Sequence, residues 1–368
     1  MTFTANDHEF MSLALRLAER GRYTVSPNPQ VGCVLVRDGQ IVGQGWHMRA
    51  GEAHAEVVAL NEAAELAAGA TAYVTLEPCC HQGRTPPCTE ALIRAGVSRV
   101  VFASSDPNPQ VAGRGASQLQ EAGVTVDSGL LADVASNLNK GFFQRMRTRR
   151  PFVRSKIAVS LDGRTALASG ESKWITGAAA RADVQRLRAR SCAVMTGIGT
   201  VLSDDPALNV RDDNLGEVRQ PLRIILDSHF QTPLKARTLG LQGQVLICGL
   251  QGDASVEKLK AVGADIVTLP EVNARVDLDG LLGVLAEKEI NELLVEAGPV
   301  LNGALIRKNL IDELIVYTAA NVLGDKGRGM FELPALGRME DRVEMLLTDV
   351  RRVGDDVRTT YRRKTLEI

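Results

Sequence analysis

The chain has 368 residues and a formal net charge of −1, with 24% charged and only 4% aromatic residues. Such a length suggests two or three domains, and the near-zero charge and few aromatics argue against a general nucleic-acid binder or a base-stacking platform. No run approaches the roughly 18 apolar residues of a membrane span, and residues 1–9 lack the basic and apolar regions of a secretory signal, so a cytoplasmic protein is expected.

Glu9–Arg20 has apolar residues at helical spacing. Val31–Val36 and Ile41–Trp46 flank Asp38-Gly39 and read as a hairpin. Helices are predicted at 54–66, 89–95 and 116–122, alternating with strands at 72–76, 97–103 and 124–126. One helix is predicted from Leu131 to Arg147, and Arg147-Thr148-Arg149-Arg150-Pro151 then reads as an exposed link. We therefore expect a first domain at 1–147 and a second at 148–368.

The second half restarts with a strand at 152–159, a helix at 178–190, and strands at 193–196, 223–227 and 244–248. A helix at 278–288, a strand at 292–296, a helix at 301–308 and a strand at 313–319 follow. Two β-leaning runs lie within 342–363, and Asn209–Gln220 is the most loop-like stretch. Both halves are therefore of the α/β class.

Six cysteines are too few for a disulfide scaffold, but Cys79, Cys80 and Cys88 cluster. His54, Cys79 and Cys88 offer one imidazole and two thiolates, a three-ligand zinc set that leaves a fourth position open for water. Glu56, two residues after His54, can reach that water without ligating the metal and carry its proton to a leaving amine. The order His-x-Glu, then Pro-Cys, then Cys is the signature of zinc nucleobase deaminases. A structural zinc would need a fourth ligand from Cys80 or His81 and would have no use for Glu56. Many nucleobase deaminases have two residues between the cysteines. Here there are eight, Cys80 to Pro87, and Arg84 among them suits an anionic substrate group.

Along one short stretch, Lys156, Ser160, Asp162 and Arg164 have the even spacing that would place them on one face of a strand. Glu296 to Gly303 follows a strand and opens a helix, a plausible cradle for phosphate, although it is not G-x-G-x-x-G. Gly197-Ile198-Gly199 is a second, weaker candidate.

The stretches PNPQVGCVLV, HAEVVAL, TLEPCCHQGRTPPC and DPNPQVAGRG resemble the deaminase half of the bifunctional riboflavin-biosynthesis deaminase–reductases. SLDGRTA, SGESKWIT, TVLSDDPALNVR, ILDS and VEAGPVLNGAL resemble the reductase half. Cys80 is a departure, since that family carries Ser there. The resemblance implies a cytidine-deaminase-like three-layer domain followed by a dihydrofolate-reductase-like α/β domain. It implies one catalytic Zn2+, NADPH as the second cofactor, and a phosphorylated pyrimidine as the substrate. The pyrimidinone ring is deaminated first and the ribosyl group is then reduced to ribityl.

By the same resemblance Asn28, His47 and Arg84 contact the deaminase substrate. Ala158, Trp174, Thr200, Asp204 and the turn Gly298, Pro299, Val300, Leu301, Asn302 and Gly303 line the cofactor. Ser172, Arg188, Leu208, Arg211 and Glu296 contact the reductase substrate, with Arg188 and Arg211 as a phosphate clamp and Asp204 as a proton relay. No nucleic-acid or membrane partner is expected. A homodimer is the default oligomer.

Overall fold

The computed structural model describes residues 3–82, 86–252 and 254–364. The chain divides into two compact units, Met1–Arg149 and Arg150–Ile368.

In the first unit, α1 (Ala5–Glu19) starts earlier than the periodicity suggests. Thr4 and Asp7 close a capping box there, satisfying backbone N–H groups that the helix leaves free. A five-stranded sheet follows: β1 (Gly32–Arg37), β2 (Gln40–Trp46), β3 (Thr71–Leu76), β4 (Arg99–Ser104) and β5 (Thr125–Ser128). Their order is β2-β1-β3-β4-β5, antiparallel on the β2 side of β3 and parallel beyond it.

The side-chain alternation of the strands sorts the helices into layers. Val34, Tyr73 and Val101 face Met11, Leu15 and Ala135, from α1 and α5 (Ala132–Leu138). Leu35, Val74 and Val100 face Ala59, Leu92 and Leu119, from α2 (Ala55–Ala63), α3 (Cys88–Arg94) and α4 (Arg114–Glu121). Helices thus cover both sheet faces, giving the three layers of a cytidine-deaminase-like domain.

The single helix expected over 131–147 is two. Between α5 and α6 (Lys140–Thr148) stands Asn139, whose amide accepts from the Gln30 N–H and donates to the Gln30 carbonyl at 2.7 and 2.8 Å. That distant pairing holds Asn139 out of helical continuity.

The second unit is built on a nine-stranded sheet. Its elements are β6 (Phe152–Val159), α7 (Ala178–Arg190), β7 (Ala193–Gly197), α8 (Ile198–Asp204), β8 (Leu222–Leu226), β9 (Val245–Gly249), α9 (Ala254–Ala261) and β10 (Asp265–Thr268). A two-stranded ribbon follows, β11 (Glu271–Val272) and β12 (Arg275–Val276). The unit ends with α10 (Leu278–Glu287), β13 (Glu292–Val295), α11 (Pro299–Arg307), β14 (Glu313–Thr318), β15 (Met345–Val353) and β16 (Asp356–Arg363). The order is β10-β9-β8-β7-β13-β6-β14-β16-β15, parallel as far as β14 and antiparallel in the last two strands.

Strand β13 at the centre is buried on both faces, as its apolar run requires. On one face the sheet packs against α10 and α11, and on the other against α7, α8 and α9. Adjacent strands β7 and β13 therefore send their outgoing helices, α8 and α11, to opposite faces. The crevice this opens at the strands' carboxyl ends is a topological switch point, where open α/β sheets bind ligands.

Strand β6 ends at Val159, so the even spacing of Lys156, Ser160, Asp162 and Arg164 does not put them on one strand face. Ser160 instead closes a turn, accepting the Arg164 N–H at 2.9 Å, and Asp162 accepts from the N–H groups of Leu323 and Gly324. Among the described residues, no helix is long and apolar enough to cross a membrane.

Candidate functional site

In the first unit, α2 sets two of the four residues that matter. His54 is its N-cap and Glu56 lies in its first turn. The helix lies almost on the backbone of β2. A Cβ at Gly43 would stand 2.2 Å from the Ala59 carbonyl oxygen, and one at Gly45 2.6 Å from that of Ala55. Only glycine permits that approach, which fixes the helix start against the sheet. Cys79 follows the end of β3, and Cys88 is the first residue of α3.

These elements converge. His54 Nδ1 lies 3.2 Å from Cys88 Sγ and 3.5 Å from Cys79 Sγ, and the three donor atoms lie within 4.8 Å of one another. Tetrahedral zinc with ordinary Zn–N and Zn–S bonds would separate such ligands by about 3.6 Å. The donor set therefore fits zinc in both chemistry and spacing. The Cys88 N–H points to Cys79 Sγ at 3.4 Å. Contact with the Cys88 thiol, opposed by burial and aided by His54, draws the Cys79 thiol down to about 4. The same contact, with burial, pushes the Cys88 thiol up, so of the two cysteines it is Cys79 whose thiolate this arrangement favours.

Glu56 is 3% exposed, and burial, then the Cys79 thiolate, push its carboxyl up to about 7. His47, also buried, aligns beside the site. Its Nδ1–H donates to the Ala53 carbonyl at 3.1 Å, which leaves Nε2 to meet the Asn28 amide at 2.9 Å. Burial lowers the His47 pKa. The His47 and His54 rings meet edge to face, 5.0 Å between centroids. Asn28, His47, His54, Glu56, Cys79 and Cys88 therefore form one cluster. Arg84 lies outside the described residues. The Cys80 thiol turns to the Gln110 carbonyl at 3.7 Å and is not in the metal-capable group.

In the second unit the centre is the switch point between β7 and β13. Glu296 leaves the end of β13, and its carbonyl accepts the Thr196 hydroxyl at 2.7 Å. Arg188, from the last turn of α7, grips the Glu296 carboxylate with Nε and Nη2 at 2.6 and 3.0 Å, and donates Nη1 to the Asn209 carbonyl. Burial works to raise the Glu296 carboxyl, but Arg188, Lys156 and Arg211 outweigh it and hold it below the usual range. Lys156 and Arg211 both have lowered pKa values, burial being the first cause. Three cations thus surround one buried carboxylate. Lys156 is the residue here that the resemblance did not assign; its even spacing with its neighbours was the available signal. Because Arg188 is engaged by Glu296, Arg211, whose side chain is exposed, is the member of the expected clamp that presents charge outward.

Gly298 is the N-cap of α11, and Pro299 and Val300 open its first turn. A Cβ on Gly298 would come within 4.0 Å of Thr200 Oγ1, so α8 and α11 begin side by side in the crevice. Ala158 is half-buried on neighbouring β6, paired with Tyr317. Asn302 is turned inward, accepting from Ser155 and donating to the Ala297 carbonyl, each at 2.8 Å. Gly303 lies under the Glu332 carbonyl, and Leu301 packs towards Gly197. Ser172 and Trp174 precede α7; Trp174 is 72% exposed, with the Arg181 guanidinium 4.7 Å from its ring centre. Asp204 ends α8, its carbonyl taking the Lys173 ammonium at 2.9 Å. Leu208 is buried at positive φ against α7.

Two family models match: the cytidine and deoxycytidylate deaminase zinc-binding region over residues 4–104, and the RibD C-terminal domain over residues 151–359. The riboflavin biosynthesis protein RibD of Escherichia coli (strain K12) is 51% identical over 361 residues, 95% of this chain and 98% of its own. The chain belongs to the RibD family. RibD of Haemophilus influenzae is 47% identical, with 98% of each chain covered. RibD of Acinetobacter baumannii superposes with a TM-score of 0.92 at 45% identity, over 98% of this chain and 99% of that one. A Thermotoga maritima structure described as a diaminohydroxyphosphoribosylaminopyrimidine deaminase/5-amino-6-(5-phosphoribosylamino)uracil reductase gives 0.85 at 31% identity, over 98% and 99%. RibD relatives of this closeness make the chain a two-step enzyme of riboflavin biosynthesis, a deaminase in its first unit and a reductase of dihydrofolate-reductase-like fold in its second.

Proposed function

We propose that the first unit deaminates 2,5-diamino-6-ribosylamino-4(3H)-pyrimidinone 5′-phosphate, and that the second reduces the product, 5-amino-6-(5-phosphoribosylamino)uracil, with NADPH. The observation that carries the first step is the convergence of His54, Cys79 and Cys88 with Glu56 buried beside them. Zinc bound by those three residues would lower the pKa of water to about 7 and supply a nucleophile at neutral pH.

Glu56 is placed to carry a proton from the attacking water to the departing amine once the metal is held. Its burial beside the three donor atoms suits both roles, since burial raises a carboxyl's affinity for a proton towards the range a general acid–base needs. His47 is fixed by the Ala53 carbonyl as an Nδ1–H imidazole, and with Asn28 it offers the ring a polar edge. Arg84 is the expected partner of the phosphate here.

In the second unit the start of α11 at Gly298 would receive the cofactor's phosphates, with Pro299, Val300, Leu301, Asn302 and Gly303 shaping the turn and Thr200 facing it. Ala158 and Trp174 would flank it. NADPH would supply hydride to C1′ of the ring-opened ribose, giving the ribityl chain. Asp204 relays a proton. Arg211 binds the phosphate with Ser172, while Arg188 orients Glu296 towards the sugar and Leu208 backs the pocket. The first test is metal analysis beside cofactor choice. One zinc per chain, lost in Cys88→Ser, and faster oxidation of NADPH than of NADH would support the reading; a chain that deaminates fully without zinc would contradict it.

A further inference from the structure

The β15–β16 hairpin reaches the reductase centre through α7. Asp356, 3% exposed at the start of β16, accepts the N–H of Gly177 on Oδ2 at 2.8 Å. Gly177 is the N-cap of α7, and it has no side chain with which to cap its own helix. A carboxylate from far down the chain therefore supplies the acceptor and the negative charge that a local Ser or Asp would normally place at a helix start. The hairpin turn reinforces that contact. Gly354, at φ +65°, lies so near the first turn of α7 that a Cβ there would stand 2.7 Å from Ala179 Cβ. One turn further, Arg358 of β16 donates to Asp183 of α7 at 2.9 Å, and the same oxygen accepts the Tyr317 hydroxyl at 2.6 Å.

What the hairpin holds is the start of α7. The residues immediately before Gly177 are Ser172 to Thr176, and they carry the exposed Trp174. Three hydrogen bonds also reach that segment, from Lys173 to the Asp204 carbonyl, from Arg181 to the Thr176 carbonyl and from Asn321 to the Ile175 carbonyl, and the Arg181 guanidinium lies over the Trp174 ring. At its far end α7 carries Arg188 to Glu296.

We propose that Asp356 is a positioning residue for the reduction: by capping α7 from outside, it sets where Trp174 and the Ser172–Thr176 segment stand over the switch-point crevice. The inference rests on reading the second unit as the NADPH-dependent reductase.

The test uses the full chain with Trp46→Phe, which leaves Trp174 as the single tryptophan. In that background Asp356→Ala should lower the fluorescence anisotropy of Trp174 without any ligand. It should also raise KM for NADPH severalfold, while ammonia release is unchanged. Asp356→Asn, which keeps an acceptor oxygen, should restore KM to within about twofold. Should Asp356→Ala fail to fold, Gly354→Ala presses on the same helix turn and should raise the same KM. An Asp356→Ala chain that melts earlier but keeps wild-type KM and Trp174 anisotropy would overturn the proposal, leaving the hairpin a structural element. If the parent chain does not oxidise NADPH, the reductase reading fails, and the anisotropy alone then decides whether Asp356 places Trp174.

Discussion

Arg188 and Glu296 stand 108 residues apart in the chain and meet as a two-pronged pair, Nε to Oε1 at 2.6 Å and Nη2 to Oε2 at 3.0 Å. The pair closes the switch point between β7 and β13 and leaves Arg211 as the outward charge. Two different outcomes follow for the two arginines. Arg188→Ala strands a buried carboxylate, and breaking a buried pair in this way costs about 3–5 kcal/mol. Denaturant unfolding of the second unit should register that loss. Arg211→Ala should leave stability near wild type and raise the reductase KM for the phosphorylated substrate by roughly tenfold or more, since a charge-assisted hydrogen bond contributes about 1.5–3 kcal/mol. Deamination should be untouched by either change. An unaltered reductase KM in Arg211→Ala would remove it from the phosphate site.

Glu56→Gln separates metal binding from proton transfer. The side chain is nearly the same size and is not among the ligands, so metal analysis should still find one zinc per chain. Ammonia release should fall by about 10²- to 10⁴-fold, the usual contribution of a general acid–base. Full zinc with full turnover would exclude Glu56 as the proton carrier.

The acid stability of the first unit should depend on Asp7. Burial would raise this carboxyl, but it accepts from the Thr4 N–H and hydroxyl, the Tyr73 hydroxyl and Arg99, which together hold it far below the usual range. A carboxyl depressed by folding stabilises the native state above its unfolded pKa, about 3.9, and that contribution fades as pH falls from there through the folded value. Wild type should therefore exceed Asp7→Asn in thermal stability at pH 6, and the gap should narrow below about pH 4. A gap that stays constant down to pH 3 would mean the carboxylate's ionisation is not what matters.

Much of this site was legible because its signals are local. His54, Glu56, Cys79 and Cys88 sit at fixed spacings dictated by metal chemistry, and the strand–Gly298–α11 unit reads directly from hydrophobic period and Pro299. What escaped depends on distant partners. Asn139 breaks a helix that its own neighbours favour, because Gln30 takes both sides of its amide. Helix α8 hides behind Gly197 and Gly199, which by themselves offer only a weak phosphate cradle, until Val201 is seen packing on Ile225. The segment of α9 and β10 carries mixed polarity that only burial of Leu259 and Ala264 resolves. Lys156 looked like one of a row of strand residues, whereas Ser160 to Arg164 fold into a turn and leave it beside Glu296. No periodicity in the sequence can report that Arg188 and Glu296 pair.

The central claim is that one chain performs two ordered steps at two separate centres. The most direct measurement follows ammonia release and NADPH oxidation together, on purified protein supplied with the diaminopyrimidinone phosphate. Ammonia should appear with or without NADPH, and oxidation should begin only as deaminated product accumulates, so that Glu56→Gln silences both signals while its oxidation is restored by added 5-amino-6-(5-phosphoribosylamino)uracil. NADPH oxidation at full rate with ammonia release abolished, and no deaminated product added, would contradict the account.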